Sequence, residues 1–157
     1  MKVAEVMTKN PACCWPSNSA FSAATTMQQK DIGILPVVHD AFSRTLVGVL
    51  TDRDLCLHVV AGNRDPAHIW VSECMTPDPI CCTAEDDVLD ALQLMKENQI
   101  RRLPVVNEKH EIIGLLGLAN VVYKNAVPGE KIAAALETIC EPGHKPKKSV
   151  AEIITAA

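Results

Sequence analysis

Val3-Ala4-Glu5-Val6-Met7-Thr8 returns as Val71-Ser72-Glu73-Cys74-Met75-Thr76, and that return decides how the rest of the chain is read. Cys13-Cys14 returns as Cys81-Cys82 and Met27 as Met95. Leu35-Pro36-Val37-Val38 returns as Leu103-Pro104-Val105-Val106, again at the constant offset of 68 residues. Self-similarity at a fixed period marks one supersecondary unit used twice, each copy needing a neighbour to bury its apolar face. Two such units imply a cleft related by approximate two-fold symmetry. Positions where the copies differ are then where function can be asymmetric.

Periodicity gives each copy its elements. Val88, Ala91, Leu92 and Met95 fall at i, i+3, i+4 and i+7, an amphipathic helix stripe, with Asp86 or Asp87 as its N-cap. Ala20, Ala23, Ala24 and Met27 form the same stripe in the first copy, capped by Ser17 or Ser19. An apolar strand follows each helix, Ile34 to Val38 and Leu103 to Val106. Next come a polar turn, His39 to Thr45 or Asn107 to Glu111, and a second strand, Leu46 to Leu50 or Ile112 to Leu116, running into another helix. The unit is therefore strand, helix, strand, strand, helix, which puts the chain in the α/β (α+β) class. Gly48 matches Gly114 at an offset of 66, so the first turn is two residues longer, an insertion that costs little in a hairpin loop. Gly62 fits the end of the first unit's last helix, and Asn63-Arg64-Asp65-Pro66 reads as a linker turn.

These boundaries divide the chain into a first repeat at 1–66, a second at 67–126 and a C-terminal helical extension at 127–157. In the extension, Ile132, Ala135, Leu136 and Ile139 form an apolar stripe on a helix from about Glu130 to Cys140, stopped by Pro142-Gly143. A short basic linker, Lys145-Pro146-Lys147-Lys148, leads to Ser149-Val150-Ala151-Glu152, which matches a capping box before Ile153-Ile154. So short a helix is marginal alone, so it is expected to pack on the module or on a partner.

Composition narrows the class. A length of 157 residues suits one compact domain or two tightly packed half-domains. Hydrophobic residues make up 48% of the chain, yet there are only two Trp, one Tyr and two Phe, so the core must be aliphatic. A net charge of −4 argues against a nucleic-acid binder, which needs a basic footprint. No apolar run approaches the roughly 20 residues of a membrane span, and the first repeat begins too early for a signal peptide. A cytoplasmic protein is expected.

The seven cysteines are odd in number and lack a Cys-x-x-Cys pair, so they read as thiols rather than bridges or zinc ligands. Adjacent residues on a strand point to opposite faces, so Cys13-Cys14 and Cys81-Cys82 suit neither a shared metal nor a disulfide. Cys140 and His144 are four apart, but Pro142-Gly143 breaks the helix between them, which argues against a metal site. His39, His58, His68, His110 and His144 are scattered, with no nucleophile–base pair. An enzyme is not expected.

The order of Met-Thr at the head, Leu-Pro-Val-Val in the middle and Gly48-Val49-Leu50-Thr51-Asp52-Arg53-Asp54 at the close resembles the CBS domain. Two in tandem resemble a Bateman module, over about residues 3 to 124. The resemblance implies two sheets packed by pseudo-two-fold symmetry and a second pairing into a flat homodimer. It also implies an adenosine-containing ligand between the repeats: AMP, ADP or ATP first, with S-adenosylmethionine and NADH in the same class. Such modules act as sensors, here of energy state or ligand, for an unidentified regulated protein. The rival reading is a ligand-free structural or dimerisation module that docks a partner protein.

The resemblance also assigns roles. The Thr51 and Asp54 positions contact ribose in the family, and an ionised carboxylate can accept from both ribose hydroxyls. Thr-x-x-Asp at a helix start is equally a capping box, and the two roles are compatible. Arg53 is a weaker phosphate candidate. The Pro11-Ala12-Cys13 stretch matches the family segment that lines the adenine pocket. In the second copy Gly117 and Asn120 replace the Thr and Asp, leaving a weaker second site. Losing a charge-assisted hydrogen bond worth about 1.5–3 kcal/mol weakens binding roughly 10- to 150-fold. Conversely, the second copy has Arg101-Arg102 where the first has Gly33-Ile34, and family members place basic residues there near phosphates. Arg suits that task because its planar fork makes two parallel bonds. Strand parity decides which of the two faces the ligand.

Overall fold

The computed structural model describes residues 1–142, and the Lys145–Lys148 linker and the capping box at Ser149 lie outside the described residues. Along the chain run α1 (Val3–Val6), β1 (Thr8–Lys9), α2 (Ala20–Lys30), β2 (Ile34–Val38), β3 (Leu46–Thr51) and α3 (Asp52–Leu55). The second copy supplies β4 (Thr76–Pro77), β5 (Cys82–Thr83), α4 (Val88–Glu97), β6 (Arg102–Val106), β7 (Ile112–Gly117) and α5 (Leu118–Tyr123). The extension adds α6 (Gly129–Ile139). Its described residues form two compact units: Ala12–Pro79, and Met1–Pro11 with residues 80–142. The head of each repeat thus folds with the body of the other. β1 pairs antiparallel with β7, Thr8 facing Leu115, and β4 pairs antiparallel with β3, Val49 facing Thr76. Each body ends in a strand whose free edge needs a partner, and the exchanged head supplies it.

The repeated methionines and glycines explain each other. A Cβ on Gly48 would lie 2.8 Å from Met75 Sδ and 3.0 Å from the Thr76 carbonyl oxygen. A Cβ on Gly114 would collide with Met7 Sδ. Only glycine lets the head's methionine lie flat on the strand.

The Ala12–Pro79 unit has a three-stranded sheet in the order β2-β3-β4. Its core joins Ala20, Ala23 and Met27 of α2 to Leu35, Val37 and Leu50, with Val71 and Cys74 from the exchanged head. Ser19, not Ser17, caps α2, accepting from the Ser22 N–H at 3.1 Å. Ala24 belongs to the helix's periodic stripe but is exposed, because nothing among the described residues covers that part of the face. In the hairpin turn the Asp40 carboxylate accepts from the Phe42 and Ser43 N–H groups, each at 2.8 Å. After α3 the chain widens into a π turn, Cys56–Val60. The left-handed residue at the reversal is Asn63, φ 49°, rather than Gly62. Gly62 is needed for room, since a Cβ there would meet the His58 carbonyl oxygen at 2.8 Å.

The other unit has a four-stranded sheet in the order β1-β7-β6-β5, with β5 and β6 parallel. Val88, Ala91, Leu92 and Met95 of α4 are all buried, as their spacing requires. Asp87 caps α4 through the Leu89 N–H at 2.9 Å, while Asp86 accepts from the Thr83 N–H at 2.7 Å. α6 begins and ends one residue earlier than its apolar stripe suggested. Ala135 and Ile139 enter the core beside Leu92 and Met95, and Gln99 Nε2 donates to the Thr138 carbonyl at 3.0 Å. α6 is therefore an integral wall of this unit.

No disulfide joins any of the seven cysteines, all of which lie among the described residues. Cys14 and Cys82 are buried and their neighbours Cys13 and Cys81 half-buried, the alternation expected of a strand. Burial pushes the Cys14 and Cys82 thiols up to about 12 and Cys81 to about 11.

Candidate functional site

β3 runs directly into α3, and Thr51 and Asp54 stand at that junction, both half-buried. Asp54 Oδ2 accepts from the Thr51 N–H at 2.9 Å and from its hydroxyl at 2.7 Å. Thr51 Oγ1 in turn accepts from the Asp54 N–H at 3.1 Å. The capping box anticipated in the sequence is therefore present. Both bonds to the carboxylate fall on one oxygen, and Asp54 Oδ1 has no hydrogen-bond partner among the described residues. The cap fixes the carboxylate and leaves one anionic oxygen available.

The second copy rebuilds the same junction differently. Asn120 Oδ1 accepts from the Gly117 N–H at 2.9 Å, so the reach-back bond survives without the charge. Its Nδ2 donates to Thr8 Oγ1 at 3.3 Å. Arg102 faces Gly117 across β6 and β7, and its Cγ lies 3.7 Å from where a Gly117 Cβ would stand. The matching pair in the other unit is Ile34 and Thr51. One junction thus presents a carboxylate beside an apolar residue, the other a neutral amide beside a guanidinium.

Hairpin register also separates the two arginines. Arg102 lies beside the Gly117–Asn120 junction, exposed and with no ion pair among the described residues. Arg101 points the other way, its Nη2 lying 3.6 Å from Cys140 Sγ just past α6. Arg53 is exposed on the first turn of α3. Pro11 is buried, Ala12 and Cys13 are half-buried, and the Arg44 guanidinium reaches Cys13 Sγ at 3.5 Å. Thr8 is the residue that site reasoning missed. The repeat of Met-Thr held the signal, but only the exchange of heads shows Thr8 beside Asn120. Its counterpart Thr76 makes no such bond among the described residues, because Asp54 is turned onto Thr51.

Among the described residues no group of three or more His, Cys, Asp and Glu could hold a metal ion. No helix among them is long and apolar enough to cross a membrane.

Two α/β repeats in tandem, each closing on a strand-to-helix junction with a reach-back cap, define a class of paired-repeat modules. The sequence profile of the CBS domain matches residues 3–61 and 71–125, and the chain belongs to the CBS-domain family. The CBS domain-containing protein YhcV of Bacillus subtilis is 34% identical over 137 residues, covering 87% of this chain and 94% of its own. CBSX2 of Arabidopsis thaliana, solved in complex with AMP, is 30% identical with a TM-score of 0.69, over 79% of this chain and 95% of its own. Hypoxic Response Protein I, solved with two coordinated zinc ions, is 28% identical with a TM-score of 0.70, over 82% of this chain and all of its own. A relative with that protein's name comes from Mycobacterium tuberculosis.

Proposed function

We propose that the chain is a stand-alone regulatory module that binds an adenine nucleotide, AMP, ADP or ATP, with Asp54 and Thr51 taking the ribose. The observation that carries this reading is the half-capped carboxylate. Asp54 Oδ2 is held by Thr51 while Oδ1 keeps an acceptor without a protein partner among the described residues. A pre-oriented anionic oxygen suits a vicinal diol, because it loses little freedom when it accepts from one. A relative solved with AMP supports the ligand class.

On the same reading the phosphates fall to basic side chains, Arg101 or Arg102 of the second copy first and Arg53 of the first copy second, none of them in an ion pair among the described residues. The Ala12-Cys13 backbone and side chains contact the base. Gly117 and Asn120 mark a weaker second site. The module acts in the cytoplasm as a homodimer, and nucleotide alters its shape or its grip on a regulated protein. Such a shift requires unequal binding to two states.

The test is calorimetric titration of protein shown to be ligand-free with AMP, ATP, S-adenosylmethionine and NADH, repeated on Asp54→Ala. Saturable binding of an adenine nucleotide that the variant loses is the expected result. No heat with any of the four would overturn the reading in favour of a ligand-free docking module.

A further inference from the structure

An apolar groove of about 220 Å³ runs between α2 and the π turn after α3, lined by Ala20, Phe21, Ala24, Leu55, Val59 and Val60. Its rim is bare: Phe21 is 59% exposed and Val60 73%. The internal repeat shows what covers such a face. The counterpart of Ala24 at the 68-residue offset is Leu92, only 4% exposed, which shares a core with Val121, Ala135 and Ile139. The last two come from α6, whose stripe of Ile132, Ala135, Leu136 and Ile139 lies against α4. Among the described residues, one unit therefore has a helical cover on this face and the other an open groove.

The chain itself carries a matching cover. Residues 143–157 follow Pro142, enough for a linker and more than two helical turns. Val150, Ile153, Ile154 and Ala157 repeat the i, i+3, i+4, i+7 spacing of α6, behind the Ser149…Glu152 capping box. The sizes also compensate. Where α6 has Ala135, this stripe has Ile153, and where α4 has Leu92, the groove has Ala24. At that contact the larger cover residue meets the smaller floor residue, while Ala157 stands where α6 has Ile139, so the two stripes remain similar in total size.

We propose that the segment Ser149–Ala157 seats as a short amphipathic helix in the α2 groove of its own chain. It covers the Ala12–Pro79 unit as α6 covers the other, and burial against the groove supplies the stability that so short a helix lacks.

Hydrogen exchange of the full chain tests this against an Ile153→Asp/Ile154→Asp variant, whose changes lie outside the described core. A tail docked about 90% of the time slows exchange beneath it about tenfold. Peptides from α2 are expected to exchange about tenfold faster in the variant, with α4 peptides unchanged. Unchanged α2 exchange would overturn the proposal. Ala24→Leu, which copies Leu92 into the groove, is expected to strip protection from residues 149–157 without unfolding the unit, and retained protection there would count against the groove. To identify the occupant, a photoreactive benzoylphenylalanine replaces Phe21 in a mixture of unlabelled and nitrogen-15-labelled chains. Crosslinks to residues 149–157 within single-isotope chains are expected. Mixed-isotope crosslinks in the statistical proportion of a random pairing would make a second copy the occupant, and none to 149–157 would make it another partner; either result refutes the assignment.

Discussion

Replacing Asp54 by Asn separates the cap from the ligand contact, because the second copy has already made that change. Asn120 Oδ1 holds the Gly117 N–H at 2.9 Å, the same length as the bond from the Thr51 N–H to Asp54. The amide of Asp54→Asn keeps an oxygen for that bond and loses only its charge assistance. A neutral hydrogen bond contributes about 0.5–1.5 kcal/mol net and a charged one about 1.5–3. At a half-exposed junction the difference should cost at most about 1 kcal/mol. Asp54→Ala removes the reach-back acceptor altogether and should cost about 1–2 kcal/mol. The ligand sees a different change. The free anionic oxygen becomes an amide N–H₂, a donor where the ribose hydroxyl needs an acceptor. Losing one charge-assisted bond of about 1.5–3 kcal/mol weakens binding roughly 10- to 150-fold. Urea denaturation and titration with AMP, run on the same preparations, should show near-native stability with affinity down at least about tenfold. An Asn variant that binds AMP within about twofold of the unmodified chain would refute the reasoning and leave Asp54 a helix cap only.

Gly114→Ala should destabilise the chain by about 1–3 kcal/mol through overpacking against Met7. Met7→Ala in the same chain should recover part of that loss, and strictly additive urea midpoints would refute the pairing. Thiol labelling at pH 8 with peptide mapping should modify Cys56 and Cys140 first, because both are exposed, and Cys14 and Cys82 last, because burial raises them to about 12. Early labelling of Cys82 would contradict its place in the core. Backbone N–H donors hold four carboxylates below their usual range: Ser43 for Asp40, Ala67 for Asp65, Trp70 for Glu73 and Leu89 for Asp87. Depressed folded values contribute stability that is full above about pH 4–5 and is lost as pH falls through them. The urea midpoint should therefore decline from pH 6 to pH 3, less steeply in Glu73→Gln, and a flat profile would contradict the sign.

Much of this was legible because it is local. The spacing of Val88, Ala91, Leu92 and Met95 settled α4 and its buried face, and Leu-Pro-Val-Val located both central strands. Thr51 and Asp54 were readable as a cap because a capping box closes within one turn. What escaped depended on partners distant in sequence. Ala24 has the spacing of a core residue, but its burial depends on a covering helix that only α4's unit has among the described residues. Whether Arg101 or Arg102 stands beside the turn depended on the register of β6 against β7. Asn63 took the left-handed position expected near Gly62, because the π turn added residues to the helix end. Nothing in the periodicity of Val3 to Thr8 said that this segment would join the other repeat's body.

The exchange of heads also governs how the molecule can be cut. A fragment ending at residue 66 would keep β3 but lose β4, exposing the hydrogen-bonding edge of a buried strand and inviting association. Residues 12–79 form an uninterrupted stretch that contains a complete sheet and its own core. The other unit is discontinuous and closes only when the first eleven residues return to it. Residues 1–11 therefore wait for the stretch that begins at Ile80 before they find their place, while residues 12–79 can fold in between.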